Sequence, residues 1–100
     1  MKYLLITMLV GFGYAWECEE YNAAFGTTYN CDCNEDTWQE YYNSEGHNME
    51  GCWLQGAYLE GADLSGADLY LADLSYVNCS GTFFVGAILE GTNFDGADLI

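Results

Sequence analysis

Positive charge is almost missing from this 100-residue sequence: Lys2 is its one basic residue, against sixteen aspartates and glutamates. A surface of that kind repels nucleic acid and anionic membrane, and attracts cations or basic protein patches. An apolar run long enough to span a bilayer is missing too, because Tyr3 to Phe12 falls well short of roughly 20 residues. The chain has no nucleophile paired with a base, no phosphate-binding glycine loop and no paired zinc-ligand spacing. No residue is therefore assigned a catalytic, cofactor-binding or metal-binding role, and an enzyme is not expected. High charge with few hydrophobes would indicate disorder, but 51% of the chain is hydrophobic, which excludes that class.

What is present begins with a leader. Met1-Lys2 is a minimal basic start, the apolar run follows, and Gly13 and Ala15 put small residues where a signal peptidase reads. Residues 1–15 read as a secretory signal, which places the mature protein in a secreted or periplasmic compartment. A chain beginning at Trp16 keeps all sixteen acids and no Lys or Arg, so its formal charge becomes −16. The five cysteines (Cys18, Cys31, Cys33, Cys52 and Cys79) all follow that point, where disulfides persist. An odd count leaves one without an intramolecular partner.

From His47 the chain runs in fives: HNMEG, CWLQG, AYLEG, ADLSG, ADLYL, ADLSY, VNCSG, TFFVG, AILEG, TNFDG, ADLI. The third position is always apolar: Met49, Leu54, Leu59, Leu64, Leu69, Leu74, Cys79, Phe84, Leu89, Phe94 and Leu99. The first position is small in ten of eleven units, His47 being the exception. A period of five fits neither an α-helix nor an extended strand. It marks a solenoid, in which each unit buries its apolar face only by stacking on the next. The fifth position is glycine in eight units, where a type II turn needs a positive φ. Leu71 and Tyr76 interrupt that pattern and predict a different turn at their corners.

The units AYLEG, ADLSG, ADLYL, ADLSY and AILEG resemble the A-[DN]-L-x-x motif of the pentapeptide-repeat family, over 54 of the 100 residues. The resemblance implies an all-β, right-handed, quadrilateral β-helix with one unit per side, twenty residues per coil and first and third positions inward. Tyr58, Trp53, Phe83 and Ile88 depart from it, standing where the family usually has Asp or Asn, and Cys79 stands for Leu. Twenty-residue coils would stack Leu54, Leu74 and Phe94; Leu59, Cys79 and Leu99; Met49, Leu69 and Leu89; and Leu64 with Phe84. At about 4.8 Å per coil the repeats make about 2.7 coils, a stub roughly 13 Å tall. Some family members resemble duplex DNA and block enzymes such as gyrase, which the acidity here matches and the length and export signal oppose. Others look like end-to-end dimers, which an open edge after Leu99 also predicts.

Residues 16–46 carry three cysteines and the aromatics Trp16, Tyr21, Phe25, Tyr29, Trp38, Tyr41 and Tyr42. They read as an acidic, Cys-rich cap over Met49 and Leu54, with a short helix near 35–43 started by Asp32 or Asn34. Cys79, at an inward third position, reads as a buried hydrophobe. That leaves Cys18, Cys31, Cys33 and Cys52 for two bridges, with Cys31 and Cys33 each joined to Cys18 or Cys52. Asp63, Asp68, Asp73 and Asp98 occupy the second position, where short polar side chains bond nearby backbone at turns. Asp32, Asn34, Glu35 and Asp36 have the composition of a weak Ca²⁺ loop without EF-hand spacing, and read as a solvated acidic loop. His47 belongs to the first, irregular corner. Phe83, Val85 and Ile88 fall at outward second and fourth positions and make a candidate interaction patch. The expected function is a non-enzymatic interaction or structural module with a basic protein partner, needing no cofactor.

Overall fold

The computed structural model describes residues 16–100; the proposed leader 1–15 lies outside them. From Asn48 onward the backbone closes into a β-helix. Isolated parallel bridges join second-position residues twenty apart, running Asn48–Asp68–Ile88, Trp53–Asp73–Asn93, Tyr58–Asn78–Asp98 and Asp63–Phe83. Each side is too short to count as a strand, yet it forms the full ladder of a parallel pair. Asp68 N–H donates to His47 C=O (2.9 Å), Leu69 N–H to Ile88 C=O (2.9 Å) and Gly51 N–H to Tyr70 C=O (2.8 Å). The same three bonds recur around each coil, so buried backbone groups find partners only when coils stack.

Two devices turn each corner. The second-position side chain accepts the backbone N–H two residues on, as in Asp63 to Ser65 (2.9 Å), Asp68 to Tyr70 (3.1 Å) and Asn78 to Ser80 (3.0 Å). The third-position C=O then accepts the N–H three residues on, as in Leu59 to Ala62 (3.0 Å). Between them the fifth residue takes a positive φ, 73° at Gly61. Leu71 and Tyr76 do not use a different turn, contrary to the sequence reading. Both hold φ at 58°, in the left-handed region of the glycines, and Ala72 N–H still bonds Leu69 C=O at 2.9 Å. Ladder bonds on both sides of the corner enforce a conformation costing about 1–2 kcal/mol for a residue with a Cβ. Their side chains lie over the glycines one coil below: a Cβ at Gly91 would come within 2.6 Å of Leu71, and one at Gly96 within 2.6 Å of Tyr76.

The first and third positions fill the interior. Met49, Leu54, Leu59, Leu64, Leu69, Leu74 and Cys79 are buried, with Cys52, Ala57, Ala67, Ala72 and Val77 between them. The inward pattern does not carry through the last coil. Phe84 and Phe94 are only partly buried against the core, while Leu89 and Leu99 are 38% and 57% exposed. These four were expected in the core; each has a stacking neighbour on one side only, so position alone does not remove it from water.

Residues 16–47 form two short helices, α1 (Cys18–Phe25) and α2 (Trp38–Tyr42), and a 3₁₀ turn at Glu45–His47. Helix α1 was not foreseen. It ends on Gly26 at φ 68°, a left-handed C-cap. Helix α2 is shorter than expected, and neither Asp32 nor Asn34 caps it, since Thr37 precedes its first residue. Asn34 instead closes the loop before it, accepting Asp36 N–H (2.9 Å) and donating to Cys31 C=O (3.0 Å). Among the described residues no helix is long and apolar enough to cross a membrane.

Candidate functional site

Two disulfides anchor residues 16–47. Cys18–Cys31 closes a loop within the segment (Cα–Cα 5.6 Å), and Cys33–Cys52 ties it to the first coil (Cα–Cα 4.9 Å). Cys33 and Cys52 are wholly buried in the core cluster, so Cys52 faces inward and still reaches a partner. The segment also supplies hydrogen bonds that a preceding coil would otherwise make. Cys33 C=O accepts Trp53 N–H (2.8 Å), the Glu35 carboxylate accepts Tyr58 N–H (2.9 Å), and the Tyr42 hydroxyl donates to Ser65 C=O (2.6 Å). Asn30 N–H also donates to Gly51 C=O (2.8 Å). An unpaired edge of that kind invites association with other chains, and here four of its groups are occupied.

The aromatics divide into two groups rather than forming one plug. Trp38, Tyr41 and Tyr42 pack on the end of the core. Trp16, Tyr21, Phe25 and Tyr29 lie along one side, where Tyr21 and Tyr29 approach Trp53 at 4.9 and 5.5 Å between ring centroids. Trp53 stands at an outward second position, yet it is only 8% exposed under these rings. Asp73, one coil further, is also buried. Its Oδ1 accepts the Ser75 N–H (2.9 Å) and hydroxyl (2.6 Å), and Gln55 lies 3.5 Å from Oδ2.

The second-position acids are spread over successive sides as turn acceptors and do not converge as an acid–base pair must. Hydrogen bonds from the Ser65 hydroxyl and backbone N–H hold the Asp63 carboxyl below the usual carboxylate range, so it is ionised at neutral pH. The cation-loop candidates are partly committed: Asn34 braces its own loop and Glu35 bonds the first coil. Among the described residues no group of three or more His, Cys, Asp and Glu side chains is placed to hold a metal ion. His47 stacks on Tyr42 with centroids 4.3 Å apart and planes 8° apart.

Cys79 is the one free thiol and is 2% exposed. Burial pushes its pKa up to about 11. At pH 8 only on the order of a thousandth is thiolate, the reactive form. The native oxidised chain should therefore resist a thiol reagent, and one thiol per chain should react once denaturant is added without reductant. Rapid labelling of the native chain, or two or more thiols after denaturation, would contradict this arrangement.

Phe83, Val85 and Ile88 are exposed at 58%, 76% and 52%. Phe83 and Val85 lie on one side and Ile88 on the next, around the Gly86 corner, with Asp63 and Asp68 one coil above. A cavity of about 280 Å³ opens beside Asp63, lined by Trp38, Gln39, Tyr42, Asn43, Ala62 and Asp63. Sequence reasoning did not find it, because its two halves lie some twenty residues apart and only the fold of 31–47 over the first coil joins them.

The family model described as pentapeptide repeats matches in eight copies over residues 48–75 and 72–100. A crystal structure of a pentapeptide repeat protein (Rfr23) from the cyanobacterium Cyanothece 51142 is similar at 34% identity. The match covers 51% of this chain and 38% of that one, with a TM-score of 0.33. No curated protein matches the chain.

Proposed function

The chain belongs to the pentapeptide-repeat family, and from that premise we propose that it is an exported, non-enzymatic module whose acidic solenoid binds a basic protein partner. In this reading residues 1–15 direct export, residues 16–46 cap the open end, and residues 47–100 form a right-handed quadrilateral helix of about 2.7 coils. The two disulfides support export, since such bonds persist outside the cytoplasm. One observation carries the partner's chemistry: residues 16–100 hold sixteen acids and no Lys or Arg. These residues therefore carry a large excess of negative charge, on a frame held rigid by ladder bonds. Phe83, Val85 and Ile88 add apolar contact beside Asp63 and Asp68.

Titration of the oxidised chain with a cationic amphipathic peptide tests the reading. Binding is expected to weaken steeply between ~50 and ~300 mM salt, as screening shortens the reach of the charges. Phe83→Ser with Ile88→Ser, which removes the apolar contact without adding charge, should weaken it strongly and leave the fold intact, because both side chains already face water. Salt-independent binding, or unchanged binding in the double variant, would sink the reading. The acidity also favours a second reading, a DNA-mimicking inhibitor of a DNA-binding enzyme such as gyrase. A cytoplasmic chain that retains Met1, has free thiols and inhibits supercoiling would select it; an exported chain starting at Trp16 would remove it.

A further inference from the structure

The cavity between helix α2 and the Ala62–Asp63 edge combines three features. Two aromatic rings line it, Trp38 and Tyr42, which meet edge to face at 6.4 Å and 67°. Tyr42 is held at both ends, its hydroxyl on Ser65 C=O and its ring stacked on His47, so it is a fixed wall rather than a mobile side chain. Asp63 is among the lining residues, and its carboxylate is oriented by the bond from Ser65 N–H at 2.9 Å. The carboxamides of Gln39 and Asn43 complete the lining. Aromatic rings beside an ionised carboxylate attract an organic cation through the ring quadrupole and the full charge together. Rings with amides would equally suit a sugar, but the charge decides between them, since residues 16–100 contain no Lys or Arg to neutralise Asp63. The volume, about 280 Å³, suits one side-chain head group better than a drug-sized molecule.

We propose that this cavity receives an organic cation, the ammonium or guanidinium head of a side chain that the basic partner presents. The inference rests on the basic-partner reading and gives it a recognition point that adjoins the Phe83, Val85 and Ile88 patch, since Asp63 is the ladder neighbour of Phe83.

The test follows the Trp38 indole and the Gln39 and Asn43 carboxamides by NMR in the oxidised chain at constant ionic strength. The probes are Nα-acetyl-lysine methylamide, Nα-acetyl-arginine methylamide, tetramethylammonium chloride and, as a neutral control, methyl β-glucoside. Saturable shifts confined to the cavity are expected for the cations and none for the glucoside. Asp63→Asn keeps an oxygen for the Ser65 N–H and should weaken the cations at least about ten-fold, while the amide spectrum elsewhere in the chain stays that of wild type. Shifts that stay linear in probe concentration, spread over all the carboxylates or persist in Asp63→Asn overturn the site, as does saturable glucoside binding. A cationic peptide that binds wild type and Asp63→Asn equally overturns the cavity and leaves the basic-partner reading standing. Saturable tetramethylammonium with no peptide binding does the reverse, upholding the cavity for a free ammonium ligand and removing the partner.

Discussion

Replacing Cys33 and Cys52 together by alanine is expected to lower the thermal midpoint by more than about 10 °C. Closing the intervening loop of sequence separation 19 restricts the unfolded chain by about 3 kcal/mol. In a domain of this size each kcal/mol shifts the midpoint by about 4–8 °C. The bridge also carries a structural load that the entropy does not count. It holds residues 31–47 over the first coil, where Cys33 C=O, the Glu35 carboxylate and the Tyr42 hydroxyl complete the edge. Without it those groups separate more readily from Trp53, Tyr58 and Ser65. Scanning calorimetry of the oxidised variant decides the matter, and a midpoint within a few degrees of wild type would show that the bridge does not tie the segment to the solenoid.

Leu74→Ala should cost about 2–5 kcal/mol in chemical denaturation, while Leu99→Ala should cost less than about 1 kcal/mol. Both residues occupy third positions, and the motif treats them alike. Leu74 is wholly buried, one coil from Leu54 on one side and from Phe94 on the other, so its removal leaves a cavity with little room to collapse. Leu99 is 57% exposed, and trimming it mostly removes surface already in water. Equal costs for the two would mean that the last coil is covered in solution.

These two substitutions also mark how far the motif reaches. The third-position apolar residues and the fifth-position glycines follow from local rules that repeat every five residues, and the twenty-residue register implied by the family resemblance is the one the bridges show, from Asn48–Asp68 to Asn78–Asp98. The turn role of the second-position acids was legible for the same reason, since an Asp or Asn bonding two residues on needs nothing from outside its own unit. Leu71 and Tyr76 were misread because their local preference opposes the left-handed region and only the coils on either side overrule it. Helix α1 was missed because an eight-residue helix with weak amphipathic character has little local signal; its packing beside Trp53 provides what its sequence does not.

The sequence by itself thus determined the solenoid, its five-residue phase, the direction of most side chains and the near-absence of positive charge, because each is a property of one unit repeated or of composition. The tertiary structure decided what no period encodes. It set Glu35 and Tyr42 against the unpaired edge, covered Trp53 with Tyr21 and Tyr29, paired Cys18 with Cys31 and Cys33 with Cys52, and brought Trp38 and Tyr42 to Asp63. Those contacts join an aperiodic segment to a periodic one across some twenty residues of chain. Their partners are selected by shape and by unpaired backbone groups that exist only once the first coil has formed.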